Sequence, residues 1–139
     1  MYLIDTNIVS ELRRNEAANP GVRRFFIDAA QQQIPLFLSA ITVGELRRGV
    51  ELIKHRGDHI QADRLERWLD ALLADFADFI LPFDEVAAQL WGKLRVPHSE
   101  NALDKQIAAT ALVHGLIVVT RNEKDFISTG VQVINPFSS

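Results

Sequence analysis

Asp5, Glu45, Asp104 and Asp125 lie in four separate segments of the chain, and the first three stand beside apolar sequence where a charge is unwelcome. A lone carboxylate in apolar surroundings is costly unless it is paired, protonated or bound to a cation. Acids placed on several core-facing segments therefore point to convergence in the fold around a divalent metal. An oxygen-only donor set suits a hard cation such as Mg²⁺, which needs one or two carboxylates besides water and substrate phosphates, whereas Zn²⁺ would call for His or Cys. Histidines 55, 59, 98 and 114 offer no shared ligand spacing except His55 and His59, which Gly57 separates within a turn, and they read as non-catalytic.

Each acid also has a purely structural reading. Asp5 could serve as a turn or capping residue. Thr42 followed by Glu45 is a capping-box pattern, yet Glu45 flanks the apolar stripe of its helix and Gly49, one turn on, leaves open space beside it. Asp104 could cap its helix or complete a box begun by Asn101, but helical spacing puts it on a face with Ile107, Ala108 and Ala111. Asp125 follows Arg121, Asn122, Glu123 and Lys124 and reads equally well as a surface charge.

The elements that must position these residues alternate. Tyr2 to Ile4 reads as a short buried strand that stops at Asp5, Thr6 and Asn7, followed by a helix through Ile8 to Arg14. A second helix is expected from about Pro20 to Gln32 and a second strand over Pro35 to Ser39. Thr42 to about His55 and His59 to Phe76 read as amphipathic helices parted by Gly57 and Asp58. Phe79 to Pro82 suggests a strand, Asp84 a cap for the helix carrying Val86, Leu90 and Leu94, and Pro97 to Asn101 a loop. A helix from about Ala102 ends at Gly115, Leu116 to Thr120 is the most β-like run, and Val131 to Ile134 makes a last strand. Strands too far apart for hairpins imply an α/β sandwich around a mostly parallel sheet. Ligands of open parallel sheets bind at the carboxyl ends of the strands, and both Asp5 and Thr120 directly follow apolar strands.

Composition sets the outer limits. A chain of 139 residues with 47% hydrophobic and 24% charged residues reads as one domain, 1–139, with a real core and no linker or low-complexity tract. The absence of cysteine excludes disulfides and thiolate chemistry and fits a reducing compartment. Met1 to Ile4 is too short for a signal peptide and no apolar run approaches a membrane span, so the expected compartment is the cytoplasm. Fifteen Lys and Arg against 18 Asp and Glu give a net charge of −3, which argues against a broad basic nucleic-acid surface. Arginine pairs nevertheless recur at Arg13 and Arg14, Arg23 and Arg24, and Arg47 and Arg48. Solvated helix faces are their structural reading. Arg47 and Arg48, one turn beyond Glu45, are also candidate phosphate contacts.

Together these segments resemble a family. Ile4, Asp5, Thr6 and Asn7, the run from Ser39 to Leu46, the run from Leu103 to Ala111, and Val118, Val119, Thr120, Arg121 and Asn122 with the later Asp125 and Phe126 are similar, in order and spacing, to the PIN-domain VapC toxins of bacterial toxin–antitoxin pairs, including the FitB-like branch. The resemblance implies a PIN-like three-layer α/β/α sandwich and a Mg²⁺- or Mn²⁺-dependent endoribonuclease, with transfer RNA suggested by enteric relatives. It implies Asp5, Glu45 and Asp104 as the metal-site acids, Thr120 as a supporting hydroxyl and Asn7 as a polar neighbour and candidate substrate contact. Many relatives carry aspartate where this chain has Asn122, so the fourth acid is missing, replaced by neutral Asn122 or supplied by Asp125. The implied partners are a cognate VapB-like antitoxin and a second copy in a homodimer that joins a larger complex, with DNA met only through the antitoxin. The apolar excess between Thr42 and Phe76, at Leu46, Val50, Ile53, Leu65, Trp68, Leu69 and Leu72, would seat an antitoxin segment, though core packing also accounts for it. The readings from other classes are a catalytically weak module that only binds a partner and a nuclease directed at DNA.

Overall fold

The computed structural model describes residues 1–137; residues 138 and 139, the end of the expected 1–139 domain, lie outside the described residues. Strands β1 (Tyr2–Ile4), β2 (Leu36–Ser39), β3 (Ile80–Leu81), β4 (Ile117–Val119) and β5 (Val133–Ile134) form one sheet in the order β3-β2-β1-β4-β5, and every pairing is parallel. Parallel neighbours need long crossovers, and helices fill them. They are α1 (Thr6–Leu12), α2 (Pro20–Gln31), α3 (Ala40–His55), α4 (His59–Asp75), α5 (Glu85–Leu94) and α6 (Ala102–His114).

Side-chain alternation along the short strands sorts the helices into two layers. Ile4, Leu38 and Val119 face one side and pack with Ile8 and Val9 of α1, Val22 of α2, Leu46 and Val50 of α3 and Leu69 of α4. Leu3 and Val118 face the other and pack with Ile107, Ala108 and Ala111 of α6, Phe126 and Val131, with Leu94 of α5 at the margin. The α/β/α sandwich expected from the sequence is therefore present, with a wholly parallel sheet. Both layers are built largely of aliphatic and aromatic groups, with Ala108 and Ala111 of α6 among the buried residues of the second.

Several boundaries differ from the sequence expectation, each for a local reason. Helix α1 starts at Thr6 because Asp5 is its N-cap and accepts from the Thr6 N–H. Helix α3 starts at Ala40, two residues before the expected Thr42, because the Ser39 hydroxyl caps it by accepting from the Ile41 N–H at 3.0 Å. The Thr42–Glu45 capping box is thereby ruled out: Thr42 is fully buried inside the helix. The last strand is confined to Val133–Ile134, since Val131 turns into the core behind the 3₁₀ turn Ile127–Thr129. Asp84 does cap α5, accepting from the Ala87 N–H, and Gly115 ends α6 with φ +66°.

No helix among the described residues is long and apolar enough to cross a membrane.

Candidate active site

The sheet order reverses at β1: the chain leaves it towards β2 on one side, and β4 lies on the other. Ile4 pairs with Val119, so the residues that follow, Asp5 and Thr120, emerge side by side at the carboxyl edge, the usual ligand position in an open parallel sheet. The Asp5 N–H still bonds the Val119 carbonyl at 2.9 Å, which ties the turn to the ladder. Asp5 is 3% exposed and Thr120 fully buried.

Hydrogen bonds fix the Asp5 carboxylate. The Thr120 hydroxyl donates to Oδ2 at 2.7 Å, the Asn7 carboxamide Nδ2 to the same oxygen at 3.1 Å, and the Thr6 N–H to Oδ1 at 2.8 Å. Asn7 is held in turn, its Oδ1 accepting from the Arg121 N–H at 3.1 Å, and Thr120 Oγ1 accepts from the Asn122 N–H at 3.0 Å. The Asn122 backbone thus secures Thr120, and the residue stands exposed just before the 3₁₀ turn Glu123–Asp125.

Glu45 projects from α3 to the same edge, where the Thr6 hydroxyl donates to Oε1 at 3.0 Å and lies 3.3 Å from the Thr42 hydroxyl. Thr6 thus links two candidate acids, a role not read from the sequence, although it stands between Asp5 and Asn7 in the matching segment. Asp104 comes from the first turn of α6. Asn101, at the head of that helix, adopts left-handed backbone (φ +56°) and makes no side-chain capping bond, so the box with Asp104 does not form. Asp125 is near enough to Asp104 to raise its carboxyl, which brings the weakest of the four candidates to the cluster.

The electrostatics follow from that crowding. Burial raises the Asp5 carboxyl above its ordinary value, against hydrogen bonds from Thr120, Thr6 and Asn7 that lower it. Burial also raises Glu45, with Asp5 adding repulsion. Asp104 is pushed up to about 7, first by burial and then by Asp5, Asp125 and Glu45. Among the described residues no lysine or arginine pairs with any of these acids, and no three of them already stand as a ready-made metal cage. The donor chemistry nevertheless fits Mg²⁺ or Mn²⁺: oxygen atoms only, uncompensated negative charge, and a cation class that one or two carboxylates and several waters suffice to hold.

The other candidates fall outside this cluster. Arg47 Nη1 donates to Glu66 Oε1 on α4 at 2.9 Å and Nη2 lies 3.7 Å from Asp70, so its guanidinium braces α3 against α4, while Arg48 is exposed. Leu46, Val50 and Leu69 are buried in the helix layer, yet a cavity of about 260 Å³ remains beside them, lined by Thr6, Glu45, Gly49, Ile53, Leu65 and Trp68 among others. A Cβ added at Gly49 would meet nothing within 4 Å, so the space expected beside Glu45 is present. Lys105, next to Asp104, is 2% exposed with its ammonium on the His98 carbonyl. No pattern in the sequence marks that burial.

The PIN domain model matches residues 2–131. The toxin FitB of Neisseria gonorrhoeae is 38% identical over 143 residues, covering 99% of each chain, and the VapC ribonuclease Y4jK of Sinorhizobium fredii is 37% identical over 145 residues, covering 99% of this chain and 98% of that protein. A solved structure of FitAB bound to an IR36 DNA fragment superimposes with a TM-score of 0.78 at 34% identity, over all of this chain and 97% of the other. A parallel sheet with acids gathered at its switch point, together with a family match over nearly the whole length, leads to one conclusion: the chain belongs to the PIN-domain family.

Proposed function

We propose that the protein is the toxin of a toxin–antitoxin pair and acts as a Mg²⁺-dependent endoribonuclease, with Mn²⁺ as an alternative ion. The observation that carries the reading is the placing of Asp5, Glu45, Asp104 and Asp125 near one sheet edge without a cationic partner, where burial first and the neighbouring acids second push Asp104 up to about 7. Such a cluster is costly for a fold to keep unless a cation and a polyanion complete it. Similarity to the toxin FitB and to the VapC ribonuclease Y4jK supports the same reading.

Asp5, Glu45 and Asp104 would hold the ion, with Asp125 in a supporting place. When bound, the ion lowers the pKa of a water and neutralises charge on the phosphorus oxygens. The protein's own groups do the rest. Thr120 and Asn7 hold the Asp5 carboxylate in one orientation, and Thr6 does the same for Glu45. A carboxylate of the cluster that the ion does not engage would take the proton of the attacking water. Transfer RNA is the candidate substrate.

The neutralising partner is a VapB-like antitoxin whose apolar segment enters the cavity between Glu45, Val50, Ile53 and Trp68. The DNA-bound FitAB structure supports DNA contact through the antitoxin. A homodimer within that assembly completes the reading.

The test is incubation of purified protein, freed of any partner, with total cellular RNA and Mg²⁺ or Mn²⁺, beside the Asp5→Asn variant, an EDTA control and single-stranded DNA. Discrete RNA fragments made only by the metal-loaded native protein are the expected result. Intact RNA in every lane would move the assignment to a binding module, and cleavage of DNA alone to a DNA-directed nuclease.

A further inference from the structure

Beyond the acid site, a cavity of about 440 Å³ lies between the end of α1 and the start of α4, lined by Arg13, Arg14, Asn15, Gln61, Arg64 and Trp68 with Leu65. Its chemistry is the reverse of the acid cluster's. The chain carries more acids than bases, yet among the described residues three arginines, two carboxamides and an indole line this basin and no carboxylate does. Arg14 is held by Glu11 at 3.1 Å. Arg13 and Arg64 are exposed and form no ion pair among the described residues, so their guanidinium forks are open to a ligand.

The basin is also continuous with the site. Arg13, Leu65 and Trp68 line both it and the cavity that contains Glu45 and Thr6. A strand whose scissile phosphate sits at the acids could run past Trp68 and reach the arginines without leaving the surface. Guanidinium forks match phosphate oxygens in pairs, an indole offers a stacking face to any base, and carboxamides can bond base edges or a ribose hydroxyl.

We infer that the basin formed by Arg13, Arg14, Arg64 and Trp68 is a second subsite for single-stranded RNA, gripping phosphates that flank the cleaved bond and stacking one base on Trp68. It rests on the endoribonuclease reading of the acid site, but it is a binding claim and is tested where no cleavage occurs. It separates two tasks: the acids repel the polyanion they must attack, and the basin supplies the attraction that brings it there.

The experiment measures fluorescence anisotropy of a labelled 12-nucleotide RNA on the full chain, freed of any partner, in EDTA across a range of salt. The double variant Arg13→Gln with Arg64→Gln is expected to bind about tenfold more weakly, with a log K against log salt slope smaller in magnitude by about 1.4, since each phosphate contact of a single strand contributes about 0.7. Arg13→Lys with Arg64→Lys should restore most of the slope. In a Trp91→Phe background the remaining indole, Trp68, should be quenched as RNA saturates the protein. An unchanged slope in the glutamine variant, or unchanged Trp68 emission at saturation, overturns the subsite whether or not the protein cuts RNA. Retained RNA binding by the glutamine variant with lost capture of a co-expressed antitoxin would also overturn it and give the basin to a protein partner. Weakened binding in a protein that fails to cleave would leave the subsite standing and remove the nuclease reading instead.

Discussion

Glu66 on α4 and Asp104 on α6 are both carboxylates in helices, and the molecule treats them in opposite ways. Glu66 Oε1 accepts from Arg47 at 2.9 Å and from Lys54 at 3.4 Å, and these cations hold its carboxyl below the ordinary range, Arg47 contributing most. Asp104 is half-buried among Asp5, Asp125 and Glu45 and is driven up to about 7. One acid is surrounded by what its charge wants, the other by what its charge resists. The second arrangement is the kind that fits the proposed binding site, since strongly perturbed carboxylates cluster at functional sites. The same contrast separates the two halves of the proposed RNA track, an acid site without cations and an arginine basin without acids.

The sharpest way to break the comparison is to neutralise the crowded acid. Asp104→Asn should cut RNA hydrolysis at least about a hundredfold, the scale seen when a charge-stabilising group is lost. It should also raise the thermal midpoint of the metal-free protein at pH 8, because a neutral group replaces a repelled charge. Melting curves with and without EDTA, beside a cleavage assay, check both. A loss of stability would mean that Asp104 is an ordinary structural residue. Asp5→Asn should abolish cleavage to a similar extent but lower the midpoint, since its carboxylate accepts from Thr120, Asn7 and Thr6.

Thr120→Val tests the same network without touching a charge. It leaves the buried Asp5 oxygen without the 2.7 Å donor and should cost about 1–3 kcal/mol of stability, with Thr120→Ser close to native. Denaturant unfolding measures the difference, and equal midpoints for the valine and native proteins would remove Thr120 from the site.

The pH dependence has a definite sign. The folded pKa of Asp104 is raised from 3.8 to about 7, so between those values the folded chain holds a proton that the unfolded chain has lost. Stability of the metal-free protein should therefore fall as pH rises from about 4 to about 7 and level off above, by a few degrees in midpoint. Asp104→Asn should flatten that slope. Asp5 and Glu45, also raised, act in the same direction.

Much of this was legible in the sequence because it rests on local rules. Strands β1 and β4 each end at a polar residue, and parallel topology alone puts Asp5 and Thr120 on one rim. Asp104 was readable because helical spacing aims it at Ile107, Ala108 and Ala111. What escaped depends on contacts between distant segments. The start of α3 was misplaced because Ser39 and Thr42 are both good caps and only the burial of Thr42 decides between them. Asp125 resembles a surface charge in its own run, and only the fold brings it near enough to Asp104 to act on its carboxyl. The bond from Thr6 to Glu45 spans 39 residues, and the ammonium of Lys105 finds its carbonyl only in the fold. The arginine basin is a further case, since Arg13 at the end of α1 and Arg64 on α4 are related by no sequence spacing.

The smallest expected effect comes from the satisfied acid. Glu66→Gln removes a charge from an exposed cluster in which Arg47 still has Asp70 and Lys54 still has Glu51. Exposed pairs with alternative partners are nearly neutral, and salt screens what remains. The midpoint at pH 7 should move barely beyond measurement error. Its pH dependence is more telling: a lowered folded pKa contributes stability that is present above the unfolded value of about 4.5 and lost as pH falls below it, opposite in sign to Asp104. Native and Glu66→Gln proteins should therefore converge in midpoint under acid conditions, whereas native and Asp104→Asn proteins should diverge as pH rises. If Glu66→Gln instead impairs RNA cleavage as strongly as Asp104→Asn does, the division between a structural and a functional carboxylate fails, and the α3–α4 clamp belongs to the active site.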